Sequence, residues 1–201
     1  SRVLIRDPES QRGHWRELMP EAKAVHIELG CGKGRFTAET AAQMPDTLLI
    51  AVERVPDAMV IAMERVCAQE LQNVFFIDGD AAQLPAYFAP GEVERIYINF
   101  CDPWPGSRHA KRRLTHPNFL NLYRQVLAEG GAIHFKTDNR DLFEWSLLQF
   151  PQANFSLEAV TRDLHANGIC GVMTDYEEKF HNLGTPISRC EASMEPEKKE
   201  E

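Results

Sequence analysis

Residues 24–34 read AVHIELGCGKG, an apolar run that ends at Glu28-Leu29 and opens into three glycines at alternate positions, Gly30, Gly32 and Gly34. A run of this length fits a strand, and the glycines supply backbone torsions that other residues resist. Arg35 to Gln43 then reads as a helix. The same alternation continues outward. TLLIAVE (47–53) is apolar nearly throughout, as a strand covered on both faces would be. Pro56 suits the first turn of a helix in which Ala58, Ile61, Ala62 and Val66 fall at helical spacing. NVFFID (73–78), RIYINF (95–100) and AIHFKT (132–137) are three more strand candidates. Pro117 to Glu129 reads as a helix closed by Gly130-Gly131, and Asp138 to Phe150 as a further helix. NFSLEAVT (154–161) and TPISRCEA (185–192) read as strands flanking an irregular segment. This alternation predicts an α/β fold, a mostly parallel sheet with helices on both faces and right-handed crossovers. Ligands of such sheets bind at the carboxyl ends of the strands, near the topological switch point.

The 201 residues leave room for one domain, at roughly 150 residues per domain. The reading is a single domain over 1–193, with 1–22 as an N-terminal extension in which Trp15 and Leu18 are candidates to dock. Residues 194–201, MEPEKKEE, are charged and lack apolar anchors, so a disordered tail is expected. No apolar run approaches the ~20 residues of a membrane helix, and SRVLIRDPES is too polar for a signal peptide. The five cysteines are odd in number and contain no CxxC pair, which argues against a disulfide framework and a zinc ribbon. A cytoplasmic protein with no metal and no membrane partner is expected. A formal charge of −8 argues against a non-specific nucleic-acid coat, which would be basic throughout. It leaves room for a local basic patch, and Arg108 to Arg113 reads RHAKRR. Nothing in the sequence separates a monomer from a homodimer.

The strand ends carry the chemistry. The glycine run fails as a dinucleotide loop, because position 35 is Arg where GxGxxG needs its third glycine. Alternate glycines after an acidic strand end instead resemble the motif of S-adenosylmethionine methyltransferases. Glu53 ends the second strand, where a carboxylate accepts both hydroxyls of an adenosine ribose. Asp80 and Ala81 follow the third strand, where Asp80 is placed to accept an adenine amino group or to serve as a turn residue. The fourth strand ends Asn99-Phe100-Cys101-Asp102-Pro103-Trp104-Pro105, two prolines stiffening a loop that carries a carboxylate and an aromatic face. Arg108, His109, Lys111, Arg112 and Arg113 follow directly. That order suits a nucleic-acid base beside its phosphate backbone, the alternative being a solvated surface loop. Lys136-Thr137-Asp138-Asn139 ends the fifth strand, and Thr174-Asp175-Tyr176-Glu177 opens EKFHNLG. Taken singly, each of these would pass for a cap or a loop.

ELGCGKG, ERV, DPWPxxRHxKRRL, KTDN and TDYEEKF…GTPI, in this order and spacing, resemble the bacterial tRNA (guanine-N7-)-methyltransferase family over roughly residues 22–192. The resemblance implies a Rossmann-like class I methyltransferase fold, S-adenosylmethionine as cofactor, and methylation of N7 of the guanine at position 46 in the tRNA variable loop. It implies cofactor contacts at Glu28, Glu53, Asp80 and Asp102, with Asp102 also catalytic. It implies substrate contacts at Asp138 and over Thr174 to Glu177, Tyr176 included. One position departs from the family pattern: a lysine is usual four residues after the DPW aspartate, and here Gly106 stands there. Alternatives from other classes are an NAD(P)-linked oxidoreductase, a non-catalytic RNA-binding module on the same fold, and an amino-methyltransferase of another base. The missing third glycine disfavours the first, intact Glu28, Glu53 and Asp102 the second, and Trp104 in place of a second proline the third.

Overall fold

In the computed structural model, which describes residues 1–197, seven strands form one sheet. Strands β1 (Ala24–Leu29), β2 (Thr47–Glu53), β3 (Val74–Asp78), β4 (Val93–Asn99) and β5 (Leu127–Thr137) run parallel. Strands β6 (Phe155–Thr161) and β7 (Ser188–Met194) complete it, β7 pairing antiparallel with both β5 and β6. The order is β3-β2-β1-β4-β5-β7-β6, so strand order reverses between β1 and β4. That is where a ligand crevice opens in such sheets.

The helices are α1 (Arg35–Gln43), α2 (Pro56–Ala68), α3 (Leu84–Tyr87), α4 (Pro117–Val126), α5 (Arg140–Gln152) and α6 (Asp175–Asn182). The strand period of two sorts β2 between two cores. Leu49 and Ala51 pack with Phe36 of α1 and Met59, Ala62 and Val66 of α2. Leu48, Ile50 and Val52 face the other side, with Leu120 and Tyr123 of α4 and Phe143 and Phe150 of α5. Burial on both faces accounts for the apolar run Leu48–Val52 of β2, and in β1 it encloses even His26 and Glu28.

Several boundaries differ from the sequence reading. Helix α4 stops at Val126 instead of Glu129, because Leu127 already pairs with Val93. The glycine pair lies in a bulge, where the register jumps from Val93↔Leu127 to Arg95↔Ala132. Helix α5 starts at Arg140, since the Asn139 side chain accepts the Leu142 N–H at 2.8 Å as its N-cap. The segment read as irregular contains α6. Strand β7 begins at Ser188 and runs on to Met194.

The N-terminal extension is docked: Trp15 is fully buried, stacks on Phe88 at 4.9 Å and donates to the Tyr87 carbonyl at 2.7 Å. At the other end Glu195 is still tied in, its N–H to the Asn154 carbonyl and its own carbonyl to Arg124, each at 2.9 Å. The expected tail therefore does not begin at Met194, and residues 198–201 of it lie outside the described residues.

Candidate active site

The glycine turn joins β1 to α1 at the switch point. A Cβ on Gly34 would stand 2.6 Å from that of Ala62, so only glycine lets the turn approach α2 this closely. Around the Cβ directions of Gly30 and Gly32 no protein atom lies within 4 Å, which leaves an open cradle of backbone. Glu53 reaches into it from β2. Its Oε2 accepts the Gly32 N–H at 2.8 Å, and its Oε1 accepts the N–H groups of Arg54 and Val55 at 3.1 Å. Asp80 caps the turn after β3, accepting the Ala82 N–H at 2.9 Å, with Ala81 buried behind it.

Glu28, expected as a cofactor contact, is 1% exposed and accepts a hydrogen bond from the Thr37 hydroxyl, bracing the end of β1 against the first turns of α1. Burial pushes its carboxyl up to about 7, against the pull of Thr37, the neighbouring Asn99 amide and Lys136. In this position it holds the turn beneath the glycine cradle.

Beyond β4 the backbone is strained on both sides of Cys101-Asp102-Pro103, with φ of +53° at Phe100 and +44° at Trp104. Bulky residues adopt such torsions only where their surroundings impose them. Here the Phe100 N–H donates to the Lys136 carbonyl at 2.9 Å, and its ring stacks on Phe180 at 6.3 Å. The Trp104 carbonyl accepts two N–H groups from Arg113, at 3.2 and 3.1 Å. Arg113 also donates to the Gly106 carbonyl at 3.2 Å and lies over the Trp145 ring at 4.5 Å. Its guanidinium thus latches the loop. Arg108, Lys111 and Arg112 remain exposed, Arg112 lying over the Trp104 ring at 4.9 Å. Gly106 has φ +89° and ψ 138°, torsions close to glycine's own, which accounts for the missing lysine.

Asp102 is exposed and Asp138 half-buried, and each follows the end of one of the adjacent strands β4 and β5. Burial pushes the Cys101 thiol up to about 12, and the negative charges of Asp102 and Asp138 add to it.

The segment from Thr174 is a helix cap. The Thr174 hydroxyl accepts the Glu177 N–H at 3.0 Å, and Glu177 Oε1 reaches back to the Thr174 N–H at 3.4 Å. Glu177 is fully buried between Lys136 Nζ and His165 Nε2, each at 2.5 Å. Its carboxylate is engaged by both partners inside the protein. The Cys170 N–H donates to His165 Nδ1 at 3.0 Å, so Nδ1 is an acceptor and Nε2 is the ring nitrogen that donates to Glu177. Burial lowers the Lys136 pKa, and Glu177 pulls it back up. Tyr176, 63% exposed, keeps its ring free on the outer face of α6. Arg35 ties α1 to this helix through Glu178 at 2.7 Å and Asp175 at 3.5 Å. The sequence reading missed the Lys136–Glu177–His165 cluster. A lysine at an inward position of an apolar strand was its one visible sign.

The family model described as "Putative methyltransferase" matches residues 22–190. The tRNA (guanine-N(7)-)-methyltransferase of Geobacillus kaustophilus is 48% identical over 194 residues, covering 96% of this chain and 89% of that protein. Its namesake from Streptococcus suis is 47% identical over 193 residues, covering 96% and 91%. The chain belongs to the tRNA (guanine-N7-)-methyltransferase family. In fold it is similar to the 16S rRNA methyltransferase KamB, with a TM-score of 0.70 at 17% identity over 92% of this chain and 94% of that one. It is similar also to a 16S rRNA (adenine(1408)-N(1))-methyltransferase from Catenulisporales acidiphilia in complex with its cosubstrate, S-adenosylmethionine. There the TM-score is 0.65 at 14% identity over 98% and 95%. As a member of this family the protein is an S-adenosylmethionine-dependent methyltransferase. The residues present fit that cofactor: an open glycine cradle with an acceptor carboxylate at its rim.

Proposed function

We propose that this methyltransferase acts on N7 of a guanine in tRNA, the guanine at position 46 of the variable loop. The observation that carries the reading is the placement of Asp102 and Asp138 after the ends of the adjacent strands β4 and β5, with the exposed cations Arg108, Lys111 and Arg112 on the turn that follows Asp102. A guanine offers N1–H and N2–H donors along one edge, which a carboxylate accepts, and its phosphates meet the basic turn. The names of the two bacterial relatives supply the substrate class.

Guanine N7 has a free lone pair and no proton, so the reaction needs no general base. The cofactor supplies an electrophilic sulfonium methyl group. What the protein adds is proximity and alignment. Glu53 would hold the ribose hydroxyls and Asp80 the adenine amino group, with the Gly30–Gly34 backbone allowing the close approach. Asp102 holds the guanine edge and stabilises the positive charge that develops on the purine, with Asp138 as its neighbour. Trp104 and Tyr176 offer aromatic faces for a nucleotide drawn out of the folded tRNA. Methyl transfer from labelled cofactor to unmodified tRNA, followed by digestion to nucleosides, tests this. Label in 7-methylguanosine is the expected result, and label in another nucleoside refutes the reading.

A further inference from the structure

On the face of the sheet that carries α1 lies a cavity of about 310 Å³. Its floor includes Arg95 of β4, His134 of β5 and Arg189 of β7, and Thr40 of α1 and the 164–172 segment form its walls. None of Gly30, Glu53, Asp80 or Asp102 lines it. We propose that this cavity binds a small oxyanion, a phosphate group, between Arg95 and Arg189.

The charge pattern is the first argument. The chain has 30 acidic and 22 basic residues, yet the lining includes Arg95, Lys136 and Arg189 and not one carboxylate. Lys136 and Arg189 are register partners across β5 and β7, an adjacency of like charges that destabilises a sheet unless opposite charge is supplied. Lys136 has Glu177 behind it, and Arg189 shares Glu191 at 3.1 Å. Arg95 forms no ion pair among the described residues, and its Nη1 donates only to the Tyr97 hydroxyl at 3.2 Å.

The second argument is independent of charge. Two buried side-chain atoms among the described residues lack any hydrogen-bond partner, Thr40 Oγ1 and Asn99 Nδ2. Both residues line this cavity, and Thr40 is 93% buried, with a relative exposure of 7%. The Asn99 amide lies against the Glu28 carboxyl, which leaves the Thr40 hydroxyl as the orphan. Buried polar groups in folded proteins are nearly always paired, so a buried hydroxyl without a partner in the wall of a basic cavity points to a missing acceptor. A phosphate supplies acceptors on every side. Arginine forks grip such an oxyanion with paired hydrogen bonds, and the hydroxyl adds one more.

The histidines agree with this geometry. Burial, with Arg95 and Arg189 beside it, pushes His134 down to about 3, and burial with Arg95 pushes His26 down to about 4. Arg189 Nη2 donates to His134 Nδ1 at 3.1 Å, His26 adds its own unfavourable influence, and Glu191 stands 3.7 Å from the other ring nitrogen. A bound dianion would offset the arginines and raise the His134 pKa.

The test is a titration of the full chain with inorganic phosphate, against sodium chloride at matched ionic strength, followed through the His134 ring resonances. Saturable binding is expected, with the His134 pKa moving upward. Arg95→Gln should weaken it at least tenfold, Thr40→Val severalfold, and Lys23→Gln, at an exposed cation outside both sites, not at all. Cofactor affinity measured by calorimetry verifies that each variant is folded. A 5′-phosphorylated dinucleotide is the second arm: if it competes, the phosphate can belong to a nucleotide, and if it does not, the ligand is a free anion. Competition by the same dinucleotide without its phosphate overturns the proposal. So does a response to phosphate no greater than to chloride, or one unchanged in a folded Arg95→Gln protein.

Discussion

Lys136 Nζ at the end of β5 lies 2.5 Å from Glu177 Oε1 in the first turn of α6, and both side chains are buried. The pair fastens α6 to the sheet across the mouth of the active site, with His165 holding the second carboxylate oxygen. Removing one member leaves the other charge uncompensated in a low-dielectric setting. Glu177→Gln should therefore lower the unfolding free energy by ~3–5 kcal/mol, while the apolar double replacement Lys136→Met with Glu177→Leu should lose far less. Urea denaturation measures both. A Glu177→Gln protein as stable as the wild type but impaired in tRNA binding would assign Glu177 to the substrate instead.

Glu53 is predicted to report on the cofactor alone. Its carboxylate accepts three backbone N–H groups around the glycine cradle. Glu53→Ala should weaken S-adenosylmethionine binding by ~1.5–3 kcal/mol, the range for hydrogen bonds to a charged group, as read by calorimetry. Unchanged affinity would remove Glu53 from the site.

The basic turn divides into two functions. Arg108, Lys111 and Arg112 are exposed, whereas Arg113 is held by Trp104, Gly106 and Trp145. Each phosphate contact contributes ~0.7–0.9 to the slope of log K for tRNA against log salt. Arg108→Ala with Lys111→Ala should flatten that slope. Arg113→Ala should leave the slope alone and loosen the loop, lowering turnover. An unaltered slope in the double variant would make the run a solvated face. Gly106→Lys should lower stability, since its backbone torsions suit glycine.

The sheet was legible because each parallel strand carries a short apolar stretch bounded by turn residues, and β1 and β2 have the limits read from sequence. The limits that moved depend on partners far along the chain. Helix α4 yields Leu127 to β5 because Val93 pairs with it, and a lone segment cannot show that competition. At the site, Glu53 and Asp102 stand at the strand ends where their positions predict. Glu28, Arg113 and Glu177 also have partners within the protein that no single segment reveals, since Thr37, Trp104 and Lys136 lie in other elements or across a folded loop. Whether a charge faces a ligand or a neighbour is decided by that packing.

Glu28 gives a pH dependence with a definite sign. Its carboxyl rises from 4.5 to about 7, so the folded protein holds the proton more tightly than the unfolded chain does. The penalty for ionising it is absent below pH about 4.5 and complete above about 7, amounting to about 3 kcal/mol at ~1.4 kcal/mol per unit. Relative to Glu28→Gln, the wild type should lose stability progressively as pH rises through that window. A constant difference between the two denaturation series from pH 4.5 to 7.5 would contradict the burial of this group.

The central claim is methyl transfer to N7 of one guanine in the variable loop, aligned by Asp102. Reductive strand scission at 7-methylguanosine, mapped along a tRNA transcript after incubation with enzyme and cofactor, tests it most directly. The account predicts a single cut at position 46, largely lost with folded Asp102→Ala protein and absent when that guanine is replaced by adenine. Scission at another guanine, or a full-strength cut with Asp102→Ala, would contradict it.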